Sequence, residues 1–301
     1  MQTEHPGRRG LLITAVAAAA GMGGLSAGCT GEGARDLDGP QAPRAGRLSV
    51  SPGTAWVFSS GGPRGVVHVG VLKALDELGL TPSLVVGSSI GALIGCLVAA
   101  GLPWQRIEAL ALELGPVDLV RPQLTGSRWL NVDGLAGWVD TLLGRRRLEQ
   151  LATPFAAVAV NASTREPVAF THGLAGAALQ AACSIEGRFE PVAIHGQRYM
   201  DADLVMPLPV RLARQLGAQR VLAIDASAHE DKAPPGTEAW RDGDLRKRAL
   251  TLADSQAADF TLHPDIGYYA GLRRAWREMA IQRGYEQTLA QAVALRKLHA
   301  A

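Results

Sequence analysis

Cysteine is scarce in this chain of 301 residues, and the formal net charge is small, at +2. The three cysteines, Cys29, Cys96 and Cys183, form no Cys-x-x-Cys pair and no cluster with histidine. The spacing therefore gives no sign of a zinc site or a disulfide scaffold, and we expect no metal. Basic residues are scattered apart from short runs such as Arg145–Arg147, so the charge gives no reason to expect a nucleic-acid partner.

Bulky apolar residues are few in the first apolar stretch of the chain. Residues 11–28, LLITAVAAAAGMGGLSAG, are mostly alanine and glycine, and this weak apolarity argues against a membrane-spanning anchor. The stretch follows Arg8–Arg9, and a basic start, a weakly apolar middle and small residues before a break are typical of an export signal. The arginine pair resembles a twin-arginine signal. We therefore predict an export signal over residues 1–28.

The end of this signal, LSAGC at residues 25–29, resembles a bacterial lipoprotein cleavage site, with Cys29 as the lipidated residue. The pattern departs from the usual one at Ser26, which stands three positions before the cysteine, where leucine is usual. We expect an exported protein of the cell envelope that is anchored at a membrane surface through Cys29. A soluble periplasmic or secreted protein is the alternative.

The remaining sequence has enough apolar residues for one sizeable domain, since 47% of the chain is hydrophobic. Residues 29–53 are rich in Gly, Pro, Arg and Asp and lack apolar periodicity, which predicts a flexible linker. The folded domain is predicted over residues 54–290, and residues 291–301 are interpreted as the end of the last helix. The sequence contains no visible internal repeat.

Short β-prone runs alternate with helical segments along the predicted domain. TAWVFSS at 54–60, SLVVGS at 83–88 and PFAAVAVNAS at 154–163 are typical of strands. This alternation predicts an α/β fold with a mostly parallel central sheet and helices on both faces. The segment IGALIGCLVAAG at 90–101 is apolar nearly all round, so we expect a helix buried in the middle of the fold.

A serine between two glycines stands where the second predicted strand turns into this buried helix. Ser89 has Gly87 and Gly91 two positions away on either side, which is the pattern of a nucleophile elbow. The N-terminus of the helix favours a developing negative charge. The same pattern at Gly24–Gly28 lies in the predicted export signal and follows no strand. Ser89 is therefore the candidate nucleophile, and a helix cap without chemistry is the alternative.

A second glycine-rich turn, SSGGPRG at residues 59–65, also joins a strand to a helix. The candidate oxyanion hole consists of Gly61, Gly62, Arg64 and Gly65. Their backbone amides can point into one space, and the arginine adds positive charge. A dinucleotide phosphate loop fits poorly, because Ser60 occupies the place of the first glycine of G-x-G-x-x-G. A plain tight turn is the other alternative.

A carboxylate, Asp201, closes the apolar run RYM and begins the turn before LVMPLP. The carboxyl edge of a sheet is where sites are built in such folds. Held against Ser89, an aspartate accepts the hydroxyl proton directly, and partial burial raises its pKa and makes it a better base. Asp203 is the second candidate for this role, and a turn cap is the alternative interpretation of Asp201.

Three histidines, His172, His195 and His229, are the other candidate bases. None stands in a context that demands catalysis, and a lone histidine is more often a surface or packing residue. An α/β-hydrolase with a Ser–His–Asp triad that uses His195 or His229 remains a second hypothesis. It predicts that removal of the histidine abolishes turnover.

Four segments together resemble the patatin-like phospholipases, a family of lipid acyl hydrolases with a Ser–Asp dyad. They are GGPRGVVHVGVLKALDELGL at 61–80, GSSIG at 87–91, AACSIEGRFEPV at 181–192 and YMDADLVMPLPV at 199–210. The resemblance covers residues 54–285. It implies that Ser89 is the nucleophile, that Asp201 is the general base and that the first segment supplies the oxyanion hole. It also implies a phospholipid or related lipid ester as substrate and no cofactor, and we expect the apolar segments near residues 103–135 to form the acyl-binding wall.

Three departures from the family pattern bear on activity. Ser60 replaces a glycine of the oxyanion segment but lies upstream of the amides needed. Ala202 and Asp203 follow the aspartate where glycines are usual, and Glu186 stands where proline is common. Alanine adopts positive φ less freely than glycine, so activity is expected to be weak if the general base needs that backbone to reach the nucleophile. An envelope lipoprotein that binds lipid without catalysis is the third hypothesis.

Overall fold

A central sheet of eight strands organises the protein, as seen in a computed structural model that describes residues 37–122 and 128–300. A two-stranded ribbon, β3–β4, is separate from it. The strands are β1 (Thr54–Phe58), β2 (Leu84–Ser88), β3 (Arg121–Pro122), β4 (Leu130–Asn131), β5 (Phe155–Asn161), β6 (Pro167–Phe170), β7 (Val192–Ile194), β8 (Gln197–Asp201), β9 (Arg220–Ile224) and β10 (Phe260–Leu262). The predicted export signal and Cys29 lie outside the described residues.

Ten helices of the described residues surround the sheet. They are α1 (Val67–Glu77), α2 (Ile90–Ala99), α3 (Trp104–Glu113), α4 (Pro116–Leu119), α5 (Asp133–Leu143), α6 (Ala175–Ala182), α7 (Val210–Gln215), α8 (Arg241–Ala257), α9 (Arg274–Leu289) and α10 (Ala292–Ala300). Short 3₁₀ segments at Gly62–Val66, Leu148–Gln150, Glu230–Lys232 and Glu238–Trp240 complete the described helical structure.

The sheet is mostly parallel, which confirms the predicted fold class. The strands β10, β9, β1, β2 and β5 follow one another as parallel neighbours, and β6, β7 and β8 add antiparallel pairs. Phe58 at the end of β1 pairs with Gly87 of β2 and with Ile224 of β9. Three carboxyl ends therefore lie level on one edge, where α/β proteins commonly build their sites.

Strands β2 and β8 pair with successive parts of the same edge of β5, so that the carboxyl ends of the two strands face each other. Ser88 of β2 pairs with Val158 of β5, and Asp201 of β8 pairs with the next residue, Ala159. Strand β6 occupies the other edge of β5, because it pairs with both of these β5 residues as well. Since β2 is parallel and β8 antiparallel to β5, the two strands run toward each other, and residue 89 comes close to residue 201.

Helices cover both faces of the sheet, because alternate strand residues enter two separate apolar clusters. On β1, Trp56 and Phe58 join the larger cluster with α1, α2, α3, α5 and α6, whereas Ala55 and Val57 join the smaller cluster with α7. Helix α2 is buried along nearly its whole length, as its all-round apolar sequence predicted.

The segment predicted as a flexible linker is held on the domain over its described part. The backbone N–H of Arg44 donates to the carbonyl oxygen of His172 at 3.0 Å, and Ala42 is almost fully buried. Val50 packs against the smaller apolar cluster. The linker prediction is therefore corrected for residues 37–53, because composition does not reveal backbone pairing or the burial of a few apolar side chains.

The C-terminal residues also belong to the domain. Helix α10 buries Leu295, and the indole N–H of Trp56 donates to Nε2 of His299 at 3.0 Å. The domain therefore continues past the predicted boundary at residue 290. Within residues 37–122 and 128–300, no helix combines the length and the apolarity that crossing a bilayer requires.

Candidate active site

Ser89 stands on a strained turn between β2 and α2. Its φ of 53° and ψ of −126° lie outside the regions that residues with a side chain favour. A Cβ atom on Gly87 would lie 2.3 Å from the carbonyl oxygen of Gly91, and a Cβ atom on Gly91 would lie 2.4 Å from that of Phe58. Strand and helix thus approach too closely for a side chain, which is why glycine stands on both sides of the serine.

The carboxylate of Asp201 lies against the hydroxyl of Ser89. The hydroxyl donates to Oδ2 of Asp201 at 2.5 Å, and Oδ1 accepts the backbone N–H of Asp203 at 2.8 Å. Both carboxylate oxygens are therefore engaged, and Asp201 is only 2% exposed. This geometry allows the serine to pass its proton directly to the aspartate.

Burial raises the pKa of Asp201 to about 7 and is the largest cause of the shift. The negative charge of Asp203 raises the pKa further, whereas the hydrogen bond from Ser89, the N–H of Asp203 and the charge of Lys247 lower it. A carboxyl group with a pKa near neutrality can both take and return a proton at neutral pH. That property suits a general base that acts in two successive half-reactions.

The histidine candidates lie elsewhere within the described part of the chain. The hydroxyl of Ser89 donates to a carboxylate rather than to an imidazole. His195 is an exposed turn residue with φ of 48°, and His229 stacks on His263 with ring centroids 3.8 Å apart. His172 forms a hydrogen bond with the neighbouring threonine hydroxyl. The geometry therefore favours a direct Ser–Asp pair over a histidine triad.

The glycine-rich turn forms the 3₁₀ segment Gly62–Val66 beside the elbow. Gly62 begins it with φ of 52° and lines the same cavity as Ser89. The first N–H groups of a helix have no acceptor inside it, so the amides of Gly61 and Gly62 stay candidates for the oxyanion hole. Gly65 packs on Ile90, where an added Cβ would lie 2.4 Å from a methyl carbon, so this position has no room for a side chain.

Arg64 requires a correction to the predicted oxyanion hole. Its guanidinium donates to the backbone carbonyl oxygens of Ala226 and Gly267, both at 2.9 Å. Its own backbone N–H donates to the carbonyl oxygen of Gly61 at 3.1 Å. Arg64 therefore ties the glycine-rich turn to the loops after β9 and β10. The sequence does not reveal this role, because the acceptors are main-chain atoms far away in the chain.

An apolar cavity of about 370 Å³ extends from Ser89 into the domain. Aliphatic side chains of α2, α3 and the start of α5 form much of its wall. They include Leu93, Ile94, Leu97, Ile107, Leu110, Val132 and Leu135. Several of these residues belong to the stretch near 103–135 that was expected to form the acyl-binding wall, and an apolar lining of this kind suits a hydrocarbon chain.

Two residues that depart from the family pattern contact each other beside the Ser–Asp pair. The hydroxyl of Ser60 donates to Oδ1 of Asp203, and Nζ of Lys247 donates to the same oxygen at 2.6 Å. Sequence reasoning missed Lys247, because it belongs to a polar, largely exposed helix whose pattern gives no signal of a site.

The other two residues that depart from the pattern, Ala202 and Glu186, do not disturb the contact between Ser89 and Asp201. Ala202 is fully buried and is not among the described residues with positive φ, yet Asp201 still contacts Ser89. The reason for expecting weak activity is therefore removed. Glu186 is on the surface, where its carboxylate pairs with the guanidinium of Arg165 at 2.8 Å.

Comparison with known proteins identifies the family of the chain. Residues 56–214, just over half of the chain, match the family model described as patatin-like phospholipase. The chain belongs to this family. The matched region includes the glycine-rich turn, Ser89 and Asp201, so the resemblance predicted from the four segments is confirmed.

This patatin-like protein spans only part of the length of the relatives described here. An uncharacterized NTE family protein of Mycobacterium tuberculosis is 30% identical over 230 residues, which are 72% of this chain and 62% of that protein. Patatin-like phospholipase domain-containing protein 6 of Homo sapiens is 30% identical over 202 residues, or 62% of this chain and 14% of that protein. The crystal structure of VipD from Legionella pneumophila matches with a TM-score of 0.58 and 13% identity over 81% of this chain and 68% of that one, which is a likeness of fold alone.

Proposed function

We propose that this patatin-like protein is a serine acyl hydrolase that cleaves fatty-acyl ester bonds of phospholipids or related lipids. The observation that carries the proposal is the 2.5 Å hydrogen bond from Ser89 to the buried carboxylate of Asp201, beside an apolar cavity. Membership in the patatin-like phospholipase family supports a lipid ester as the substrate class.

The first half-reaction forms an acyl-serine. The oxygen of Ser89 attacks the ester carbonyl carbon while Asp201 takes the hydroxyl proton. The amides of Gly61 and Gly62 stabilise the negative charge on the former carbonyl oxygen. The tetrahedral intermediate collapses, the bond to the alcohol breaks, and Asp201 gives its proton to the departing alkoxide. The acyl chain stays in the apolar cavity, bound to the serine.

The second half-reaction releases the fatty acid. A water molecule attacks the acyl carbon and passes a proton to Asp201, which forms a second tetrahedral intermediate. The bond to Ser89 then breaks, and Asp201 returns the proton to the serine oxygen. The enzyme is regenerated with both residues in their starting state, and no metal or redox group takes part in any step.

A fluorophosphonate probe tests the proposed nucleophile. We expect the probe to label wild-type protein stoichiometrically at Ser89, since it reacts with an activated serine. Ser89→Ala should remain unlabelled, and Asp201→Asn should be labelled far more slowly because the hydroxyl loses its proton acceptor. Mass spectrometry of the peptide that contains residue 89 identifies the site. A folded protein that takes no label would support a lipid-binding lipoprotein without catalysis.

Exposed apolar side chains occur at and beside the edge of the cavity. Ile185 and Leu272 line it and are 36% and 59% exposed. Trp129, 86% exposed, is next to the β3–β4 ribbon, and cavity-lining residues flank this ribbon in the chain. An exposed arginine lies close in sequence to each of the three apolar residues, namely Arg128, Arg188 and Arg273. Apolar side chains combined with cations favour an anionic lipid surface as the docking partner.

Trp129→Ser is expected to weaken binding to vesicles that contain anionic phospholipid by about tenfold to a hundredfold, because burial of a large apolar side chain contributes on the order of 1.5–3 kcal/mol. Val293→Ser is the matched control, since Val293 is 85% exposed on α10. Co-sedimentation with vesicles measures binding, and hydrolysis of a soluble ester should stay unchanged. If both variants bind the vesicles as well as wild type does, this surface is not the docking site for the lipid.

Export and lipidation at Cys29 stay predictions from the sequence. Together they would hold the enzyme at a membrane surface, where its proposed substrates are found. Metabolic labelling with a radioactive fatty acid, with Cys29→Ser as the control, tests the anchor.

A further inference from the structure

A polar cluster of Ser60, Asp203 and Lys247 lies beside the Ser89–Asp201 pair. Ser60 follows β1, Asp203 follows β8 and Lys247 belongs to α8. Both the serine hydroxyl and the lysine ammonium donate to Oδ1 of Asp203, the ammonium at 2.6 Å. This carboxylate oxygen therefore connects the loops after β1 and β8 with helix α8, three segments that are far apart in the chain.

The cluster reaches the general base through the main chain. The N–H of Asp203 donates to Oδ1 of Asp201 at 2.8 Å and leaves Oδ2 free to accept the proton of Ser89. The N–H of Ser60 donates to the carbonyl oxygen of Pro207 at 2.8 Å, which ties the same two loops a second time. The side chain of Asp203 thus anchors the backbone amide that orients the base.

We propose that Asp203, clamped by Ser60 and Lys247, is a positioning residue that orients the carboxylate of Asp201 toward Ser89. This inference rests on the proposed function and adds a residue to its site. Ser60 and Asp203 are two of the three positions where the family usually has glycine, and here each supplies the partner of the other. A glycine at either position would leave the clamp without one of its three side chains.

The clamp also sets the charge around Asp201. Two charged side chains act on its pKa, Asp203 and Lys247. The titratable thiol of Cys183, which follows α6, is also near enough to interact with Asp201, whose charge raises the pKa of the thiol. Burial raises the pKa of the Cys183 thiol, so this group stays neutral over the working range. Asp203 raises the pKa of Asp201, and Lys247 lowers it. The two charges of the clamp therefore act on the base in opposite directions.

The pH profile of kcat/KM for a soluble ester tests this arrangement. Activity requires ionised Asp201, so the wild-type rate should fall as the pH drops below about 7, the raised pKa of Asp201. The pH range over which the rate falls is the acid limb of the profile. Asp203→Asn removes the negative charge, so the acid limb should move to lower pH by about one unit. Lys247→Met removes the positive charge, so the limb should move to higher pH by about as much. Ser60→Gly changes no charge and should lower kcat about fivefold with the limb in place.

Lys232→Met is the matched control, because Lys232 forms an ion pair of similar geometry with Asp265, at 2.8 Å. It should leave the limb at the wild-type position. If Asp203→Asn and Lys247→Met move the limb in the same direction, or neither moves it, the proposal is overturned. A ¹³C titration of the Asp201 carboxyl measures the same shifts without turnover. It therefore separates failure of the clamp from failure of the proposed hydrolase activity, which the fluorophosphonate probe reports.

Discussion

Asp201→Asn is expected to lower kcat/KM for ester hydrolysis about a thousandfold, within the range for loss of a positioned general base. The amide keeps the size of the carboxyl group but takes up no proton at neutral pH. The hydroxyl of Ser89, which lies 2.5 Å from Oδ2 of Asp201, therefore loses the group that accepts its proton. Hydrolysis of p-nitrophenyl butyrate and of a phospholipid measures the effect. Circular dichroism should show an unchanged fold.

His195→Gln and His229→Gln are the controls that separate the Ser–Asp pair from a histidine triad. Both should hydrolyse the same esters within about twofold of the wild-type rate, because neither ring takes part in the Ser89–Asp201 contact and general-base catalysis is then left intact. If either histidine variant loses turnover while Asp201→Asn keeps it, the enzyme is an α/β-hydrolase of the triad type and the proposed mechanism is wrong.

Leu97→Trp is expected to lower hydrolysis of long-chain esters at least about tenfold relative to short-chain esters, through loss of acyl-chain contacts. Ser89 is the N-cap of helix α2, and Leu93 and Leu97 on this helix line the cavity. A rise of 1.5 Å per residue places Leu97 about 12 Å along the helix from the serine. An indole at that depth blocks a long acyl chain but leaves room for an acetyl group. Rates with p-nitrophenyl acetate and p-nitrophenyl palmitate give the comparison.

Leu97→Met is the volume-conserving control for this substitution. It should keep the wild-type ratio of long-chain to short-chain rates. Because Leu97 is only 2% exposed, the tryptophan also costs about 1–3 kcal/mol of stability by overpacking, which thermal unfolding would detect. An unchanged ratio of long-chain to short-chain rates in a folded Leu97→Trp protein would mean that the cavity does not hold the acyl chain.

The strained, glycine-flanked turn that carries Ser89 was predictable from sequence because its requirements are local. A β-prone run, Gly87, Ser89, Gly91 and an all-apolar helix stand next to one another, and the close contact of strand and helix explains both glycines. The alternation of strands and helices likewise predicted a mostly parallel sheet, since parallel strands need helical crossovers.

The place of Asp201 was predicted, but for an incomplete reason. It was expected at the carboxyl edge of a parallel sheet, whereas it ends an antiparallel strand that meets β2 head-on along β5. That meeting depends on the register of two strands against a third. Register is set by packing over the whole sheet, and no local pattern records it.

Side-chain direction and long-range pairing explain the remaining differences. Arg64 has the position of an oxyanion residue but points to carbonyl oxygens of distant loops, and residues 37–53 have the composition of a linker but pair with the domain. Ser60 and Asp203 each look like a departure from a family pattern, and their contact joins positions 143 apart in the chain. The sequence therefore specified the local turn and the fold class, because these follow from neighbouring residues. Only the tertiary structure decided which groups Asp201, Asp203 and Arg64 contact, because the chain brings these groups together only when the sheet and its loops have packed.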